Sequence, residues 1–176
     1  CIFVIIHKHI EKKILRDYFV IEGSLKINCK YFIDKIKEGV QSDDNRNHQT
    51  YVRDQMTSWE FFKYDDKFLK ILSNLIDMID ENFEFPTYGL VDAWGYCLNT
   101  NGETREHDHK PNLWSGVLYL NNHDQTLNFS EIKQSFKPAP GKFVLFSSHL
   151  LHDSKKHKFK KSKYGISFNM MQNNFK

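Results

Sequence analysis

A chain of 176 residues, 40% hydrophobic and 15% aromatic, is long enough for one domain with its own core and too short for a second catalytic domain. The formal net charge of +3, within an ordinary 27% of charged residues, supplies no field strong enough to imply nucleic acid as a partner. Cys1, Cys29 and Cys97 are few, odd in number and far apart, which excludes a disulfide framework and a zinc-finger spacing and suits a reducing compartment.

In chain order, Cys1 to Ile6 is apolar but too short to cross a bilayer, and the charges after it form no cleavage-site pattern. The expectation is a cytoplasmic protein with no membrane partner. From Asn28 to Gly39, Phe32, Ile33 and Ile36 share a helical face, with Asn28 placed to cap the start and Gly39 the end. Thr57-Ser58-Trp59-Glu60 matches a capping box, and Phe68, Leu72, Leu75, Ile79 and Phe83 recur at helical spacing up to a stop at Pro86. That apolar stripe is expected to pack on the outside of a sheet.

After Pro86 the pattern changes to short runs bounded by turn residues: Leu90 to Leu98, Leu113 to Leu120, Thr126 to Phe129, Lys142 to Ser147 and Tyr164 to Met171. Many short strands at near-regular spacing predict a sandwich or barrel, so the fold class is mainly β with N-terminal helices. A single domain over residues 1–176 follows, with 1–86 as mostly helical support and 87–176 as the strand core. The Lys-rich stretch Lys155 to Lys163 reads as a solvated loop, since Phe159 is its one aromatic residue.

The chemistry concentrates in the strand-rich half, which carries six of the nine histidines. In an extended strand His107 and His109 project to one side while Asp108 points away, and a neutral imidazole pair of this kind suits a divalent first-row metal. A third ligand is expected from the segment Phe146-Ser147-Ser148-His149-Leu150-Leu151-His152, from either His149 or His152.

The ordered series Trp94, Gly102, His107-Asp108-His109, Ser115-Gly116-Val117-Leu118-Tyr119-Leu120, Pro140-Gly141-Lys142-Phe143-Val144-Leu145-Phe146, His152 and Lys163 ahead of Ser167-Phe168-Asn169 resembles the 2-oxoglutarate and Fe(II)-dependent oxygenases. The likeness is to a branch of small oxygenases with a His-x-His motif, and it spans nearly half the chain. It implies a double-stranded β-helix, or jelly roll, with metal ligands His107, His109 and His152. It further implies that Lys163, Tyr119, Asn99 and Ser167 face 2-oxoglutarate, with Lys163 pairing its distal carboxylate where most relatives use Arg. The implied activity is hydroxylation of a C–H bond, on a protein side chain or a small molecule, with dioxygen consumed and 2-oxoglutarate decarboxylated to succinate. His109 stands where the wider superfamily has a carboxylate, and Asp108 is the rival ligand if the strand is bulged. Two other readings keep the same strands: a cupin-like three-His dioxygenase without 2-oxoglutarate, and a non-catalytic jelly-roll binding module. The first half, including His48 to Met56, is placed as a cover for the site.

Overall fold

The computed structural model describes residues 3–10, 17–42, 50–82 and 88–172. Strands β1 (Phe3–Ile10) and β2 (Asp17–Ser24) precede helix α1 (Cys29–Ser42), and the two-residue strands β3 (Val52–Arg53) and β4 (Gln55–Met56) precede helix α2 (Asp66–Asn82). Then come β5 (Tyr88–Leu98), β6 (Glu103–His107), β7 (Trp114–Tyr119), β8 (Leu127–Phe129) and β9 (Gln134–Phe136), followed by β10 (Lys142–Ser147), β11 (His152–Ser154) and β12 (Lys163–Gln172). Strands in the order β1-β2-β10-β7-β12-β5-β4 form a seven-stranded antiparallel sheet, and β3-β6-β11-β8-β9 form a five-stranded antiparallel one.

Residue alternation in the larger sheet explains the architecture. Ala93, Cys97, Leu118, Phe143, Leu145 and Phe168 point to one face and pack with Phe32 and Ile36 of α1 and Phe68, Leu72, Leu75 and Ile79 of α2. Their strand neighbours Trp94, Tyr96, Val117, Tyr119, Val144 and Phe146 point the other way, toward Leu127, Phe129 and Phe136 of the smaller sheet. A sheet covered on both faces needs apolar residues at consecutive positions, which is why Val117 to Tyr119 of β7 and Phe143 to Phe146 of β10 read as continuous apolar runs in the sequence. The expected stripe of α2 does pack on the outside of a sheet, with Phe68 edge-on to Phe168 at 5.8 Å.

Both helix starts show how tertiary bonding decides among local signals. Asn28 caps α1 as predicted, its Oδ1 accepting from the Tyr31 amide at 3.2 Å. Gly39 does not end that helix, which runs on to Ser42; a Cβ at residue 39 would lie 2.5 Å from the Phe61 ring, so the glycine is there for close packing. The Thr57 capping box caps nothing. The Thr57 amide donates to the Gly95 carbonyl of β5 at 2.9 Å, and its hydroxyl accepts from the Gly95 amide at 2.9 Å. The cap of α2 is Asp65, whose Oδ1 accepts from the Phe68 amide at 2.9 Å. Phe83 and Pro86 lie outside the described residues.

The region expected to be mostly helical also supplies strands. β2 pairs with β10, so the N-terminal segment extends the larger sheet, and β3 and β4 join one sheet each. No helix among the described residues is long and apolar enough to cross a membrane.

Phe168 is the point where sheet and helices interlock, 1% exposed and in contact with α2. Replacing Phe168 with Ala should cost about 3–5 kcal/mol by leaving a cavity. The urea midpoint should fall accordingly with little change in the slope of the transition.

Candidate metal centre and cleft

His107 is the last residue of β6, and His152 is the first of β11, directly opposite it across the antiparallel pair. His109 lies just beyond β6, where its backbone amide donates to the Ser148 carbonyl at 2.8 Å. That bond ties the residue to the β10–β11 turn and brings its ring over the strand pair. The ring centroids stand 4.7 Å apart for His107 and His109, 4.4 Å for His107 and His152, and 4.9 Å for His109 and His152. One nitrogen from each ring lies within 4.8 Å of the other two.

His107 and His152 are oriented by the same local device. Each places Nδ1 on the carbonyl of the residue two positions earlier, Arg105 at 2.7 Å and Leu150 at 2.9 Å. Nδ1 therefore carries the proton, and the Nε2 lone pair is left to point at a partner, the second-layer arrangement common for metal-binding histidines. Burial lowers the proton affinity of all three rings: His107 below the usual histidine range, His109 to about 3 with His107 adding to the effect, and His152 well below. The cluster is thus three neutral imidazoles at pH 7. A divalent cation fits this donor set, and a proton does not.

Asp108 turns away as strand alternation predicts and bonds Lys110 Nζ at 2.6 Å. His149 does not join the cluster; its ring stands edge-on to Tyr18 at 6.4 Å. Tyr51, 55% exposed, stacks flat on His107 with centroids 4.6 Å apart, so the segment 50–56 does stand beside the cluster.

The three histidines line one side of a narrow cleft between the two sheets. Its inner part holds Tyr96, Tyr119, Ser154, Lys163 and Ser167. Lys163, at the start of β12, is only 1% exposed. Its ammonium donates to Ser154 Oγ at 3.0 Å and lies 5.5 Å from the centre of the Tyr119 ring. Among the described residues it has no carboxylate partner, and desolvation lowers its pKa to about 7. An ammonium has three donors, and one hydroxyl satisfies only one of them.

Of the residues expected near a co-substrate, Lys163, Tyr119 and Ser167 do line the cleft; Asn99 does not. Asn99 follows β5 and is held outside by Asp54, whose carboxylate accepts from its amide nitrogen at 2.5 Å and its Nδ2 at 3.1 Å, while its own Oδ1 accepts from Ser162 at 2.6 Å. The turn-forming role prevails because those backbone groups need partners. Sequence reasoning missed Tyr96 and Ser154. The signal for Tyr96 was its two-residue step from Trp94, which puts both on the inner face. Its ring lies across Gly165, where a Cβ would meet the Tyr96 hydroxyl at 2.4 Å.

No protein-family model and no curated protein sequence matches this chain. Solved structures do. A viral collagen prolyl hydroxylase from Paramecium Bursaria Chlorella virus-1, solved with 2-oxoglutarate, superposes with a TM-score of 0.67 at 16% identity, covering 89% of this chain and 96% of that one. A prolyl-4-hydroxylase from Pseudomonas putida gives 0.65 at 14% identity, covering 88% and 93%. An oxidoreductase of the 2OG-Fe(II) oxygenase family from Burkholderia pseudomallei gives 0.61 at 11%, covering 82% and 78%. At such identities the likeness is one of fold.

Because the Lys163 amine holds its proton less tightly in the folded chain than in the unfolded one, the unfolded state binds more protons between about pH 7 and 10.5. Its penalty on folding is therefore complete below pH 7 and fades as pH rises toward 10.5. Lys163→Met should stabilise the ligand-free protein by several kcal/mol, on the order of the desolvation cost, at pH 6.5 and by much less at pH 10. Denaturant titrations at the two pH values measure the difference.

Proposed function

We propose that this chain is a 2-oxoglutarate- and Fe(II)-dependent dioxygenase of the hydroxylase type, built as one domain on a double-stranded β-helix. The observation that carries the reading is the pairing, within one cleft, of three neutral imidazoles with a buried lysine that has no carboxylate partner among the described residues. A metal ion alone would satisfy the histidines and leave the lysine. A dicarboxylate spanning the cleft satisfies both ends.

His107, His109 and His152 would hold the iron, which supplies, when bound, the redox chemistry that couples dioxygen to decarboxylation of 2-oxoglutarate and oxidation of a C–H bond. Three imidazoles carry no charge, so they leave the cation's double charge for the co-substrate to neutralise. Lys163 receives the far carboxylate through its two remaining donors, with Ser154 fixing the direction of the amine. Tyr119 and Tyr96 stay protonated, because burial holds both phenols above their usual range, and so they can act only as neutral walls or hydroxyl donors. The apolar sides contributed by Trp94, Val117 and Phe146 keep the inner cleft dry, which strengthens the ionic contact at its end. The prolyl hydroxylase fold of the structural neighbours supports this reading and favours a protein side chain or small molecule as the hydroxylated partner.

Isothermal titration of the full chain, loaded anaerobically with Fe(II), should detect 2-oxoglutarate binding, and succinate should form once dioxygen and a substrate are added. His107→Ala, His109→Ala and His152→Ala should each abolish metal retention. Lys163→Met should keep the metal and weaken 2-oxoglutarate by about tenfold to a hundredfold, the worth of a charged hydrogen-bonded contact. Metal-dependent oxygen consumption that ignores both 2-oxoglutarate and the Lys163 substitution would instead identify a cupin-like enzyme.

The anchor predicts a pH signature as well. Below about pH 7 Lys163 is already protonated; above it, binding must draw a proton from solvent. Affinity for 2-oxoglutarate should fall by about tenfold per pH unit above 7 until the amine of the complex itself titrates. Lys163→Arg, charged throughout, should flatten that slope.

A further inference from the structure

The loop joining β11 to β12, residues 155–162, carries Lys155, Lys156, Lys158, Lys160 and Lys161, all exposed. A solvated run of lysines is normally loosely held, since like charges repel and nothing fixes the backbone. This loop is fixed. Gln125 Nε2 donates to the Lys155 carbonyl at 2.8 Å, the Asn101 amide to that of His157 at 2.8 Å, and Thr100 Oγ1 to that of Phe159 at 2.9 Å. His123 Nε2 meets the Lys161 carbonyl at 2.8 Å, and Asn121 Nδ2 donates to that of Ser162 at 2.8 Å. Beneath it His123 and His157 are buried, 4% and 5% exposed, with ring centroids 4.7 Å apart.

At the centre of the loop Phe159 is 43% exposed, its ring nearly parallel to His157 at 5.5 Å and perpendicular to His123 at 5.4 Å. Two open clefts lie against it, one lined by Lys160 and Lys161, the other by Lys155, Lys156 and Lys158. Asp124 borders both, but it is already neutralised by Lys137 at 2.5 Å. Lys155 lies 4.0 Å from Asp153 and Lys161 interacts electrostatically with Asp124, whereas Lys156, Lys158 and Lys160 have no carboxylate partner among the described residues. Holding three uncompensated cations around a half-exposed aromatic ring costs stability in the isolated chain. An anionic partner with an apolar centre would remove both costs.

We propose that this loop is a docking surface for an acidic polypeptide segment, extended, with an apolar side chain on Phe159 and carboxylates on either side. Charge complementarity selects the sign of the partner, and the single aromatic ring selects its class. A nucleic-acid strand draws its affinity from stacking successive bases, and Phe159 is the one exposed aromatic bordering the two clefts. The surface is separate from the histidine cluster: Ser154 and Lys163, the residues that flank the loop, face inward to the cleft between the sheets, while the lysines between them face solvent.

Fluorescence anisotropy of the full chain with a labelled synthetic peptide, one leucine flanked on both sides by glutamates, tests this directly. Binding is expected at low ionic strength, lost on raising salt and absent for the same peptide with glutamine in place of glutamate. Simultaneous Lys156→Glu, Lys158→Glu and Lys160→Glu should weaken it by at least about tenfold, and Phe159→Ser by about fivefold, with the circular dichroism spectrum and metal binding at the histidines unchanged. Lys158→Glu alone, a single exposed change, should weaken binding by about threefold and gives the same test without the triple charge reversal. Unaltered affinity in these variants overturns the proposal. So does tighter binding of oligothymidylate or of phosphatidylserine vesicles than of the acidic peptide.

Discussion

The burial of the larger sheet on both faces is the constraint from which the remaining features follow. One face is consumed by α1 and α2, and so the opposite face is the place where a cleft can form. Each strand must then serve two environments at alternate positions. β12 does this over its length: Ile166, Phe168 and Met170 fill the helix side, while Lys163 and Ser167 enter the cleft. The positions of the polar groups are therefore set by the register of an apolar core, whose packing fixes them more firmly than any surface loop could.

The same register places a strongly desolvated amine and three desolvated imidazoles in one cavity, and their responses differ. Imidazoles give up the proton at little cost and remain good ligands. The amine of Lys163, near neutrality in its proton affinity, is poised between a hydrogen-bonding neutral form and a cation awaiting a counter-charge. A guanidinium in that place would stay charged and would need a permanent partner. The chain thus has, within its cleft, an amine whose charge responds to small changes in its surroundings.

Much of this was legible in the sequence. The spacing of Phe68, Leu72, Leu75 and Ile79 gave the packing face of α2, the apolar runs Val117 to Tyr119 and Phe143 to Phe146 gave β7 and β10, and the His-x-His step with His152 gave the cluster. What escaped was decided by long-range bonding. Thr57 carries a helix-start signal, yet its backbone is taken by Gly95; Asn99 lies one residue past β5, and Asp54, distant in sequence, draws it outward. The short strands β6 and β11 lack a strong apolar pattern because part of each faces polar surroundings, and they become visible only when paired.

The placement of β3 and β4 bears on how wide the cleft can be. Only Asp54 separates them, yet β3 pairs with β6 in the smaller sheet and β4 with β5 in the larger. A single residue therefore bridges the two layers beside the histidines, and the Asp54 carboxylate grips the end of β5 at Asn99. The segment acts as a spacer of fixed length, since a peptide unit cannot stretch. In such a construction a one-residue tether limits how far the two layers can part at that edge, whatever side chains fill the core between them.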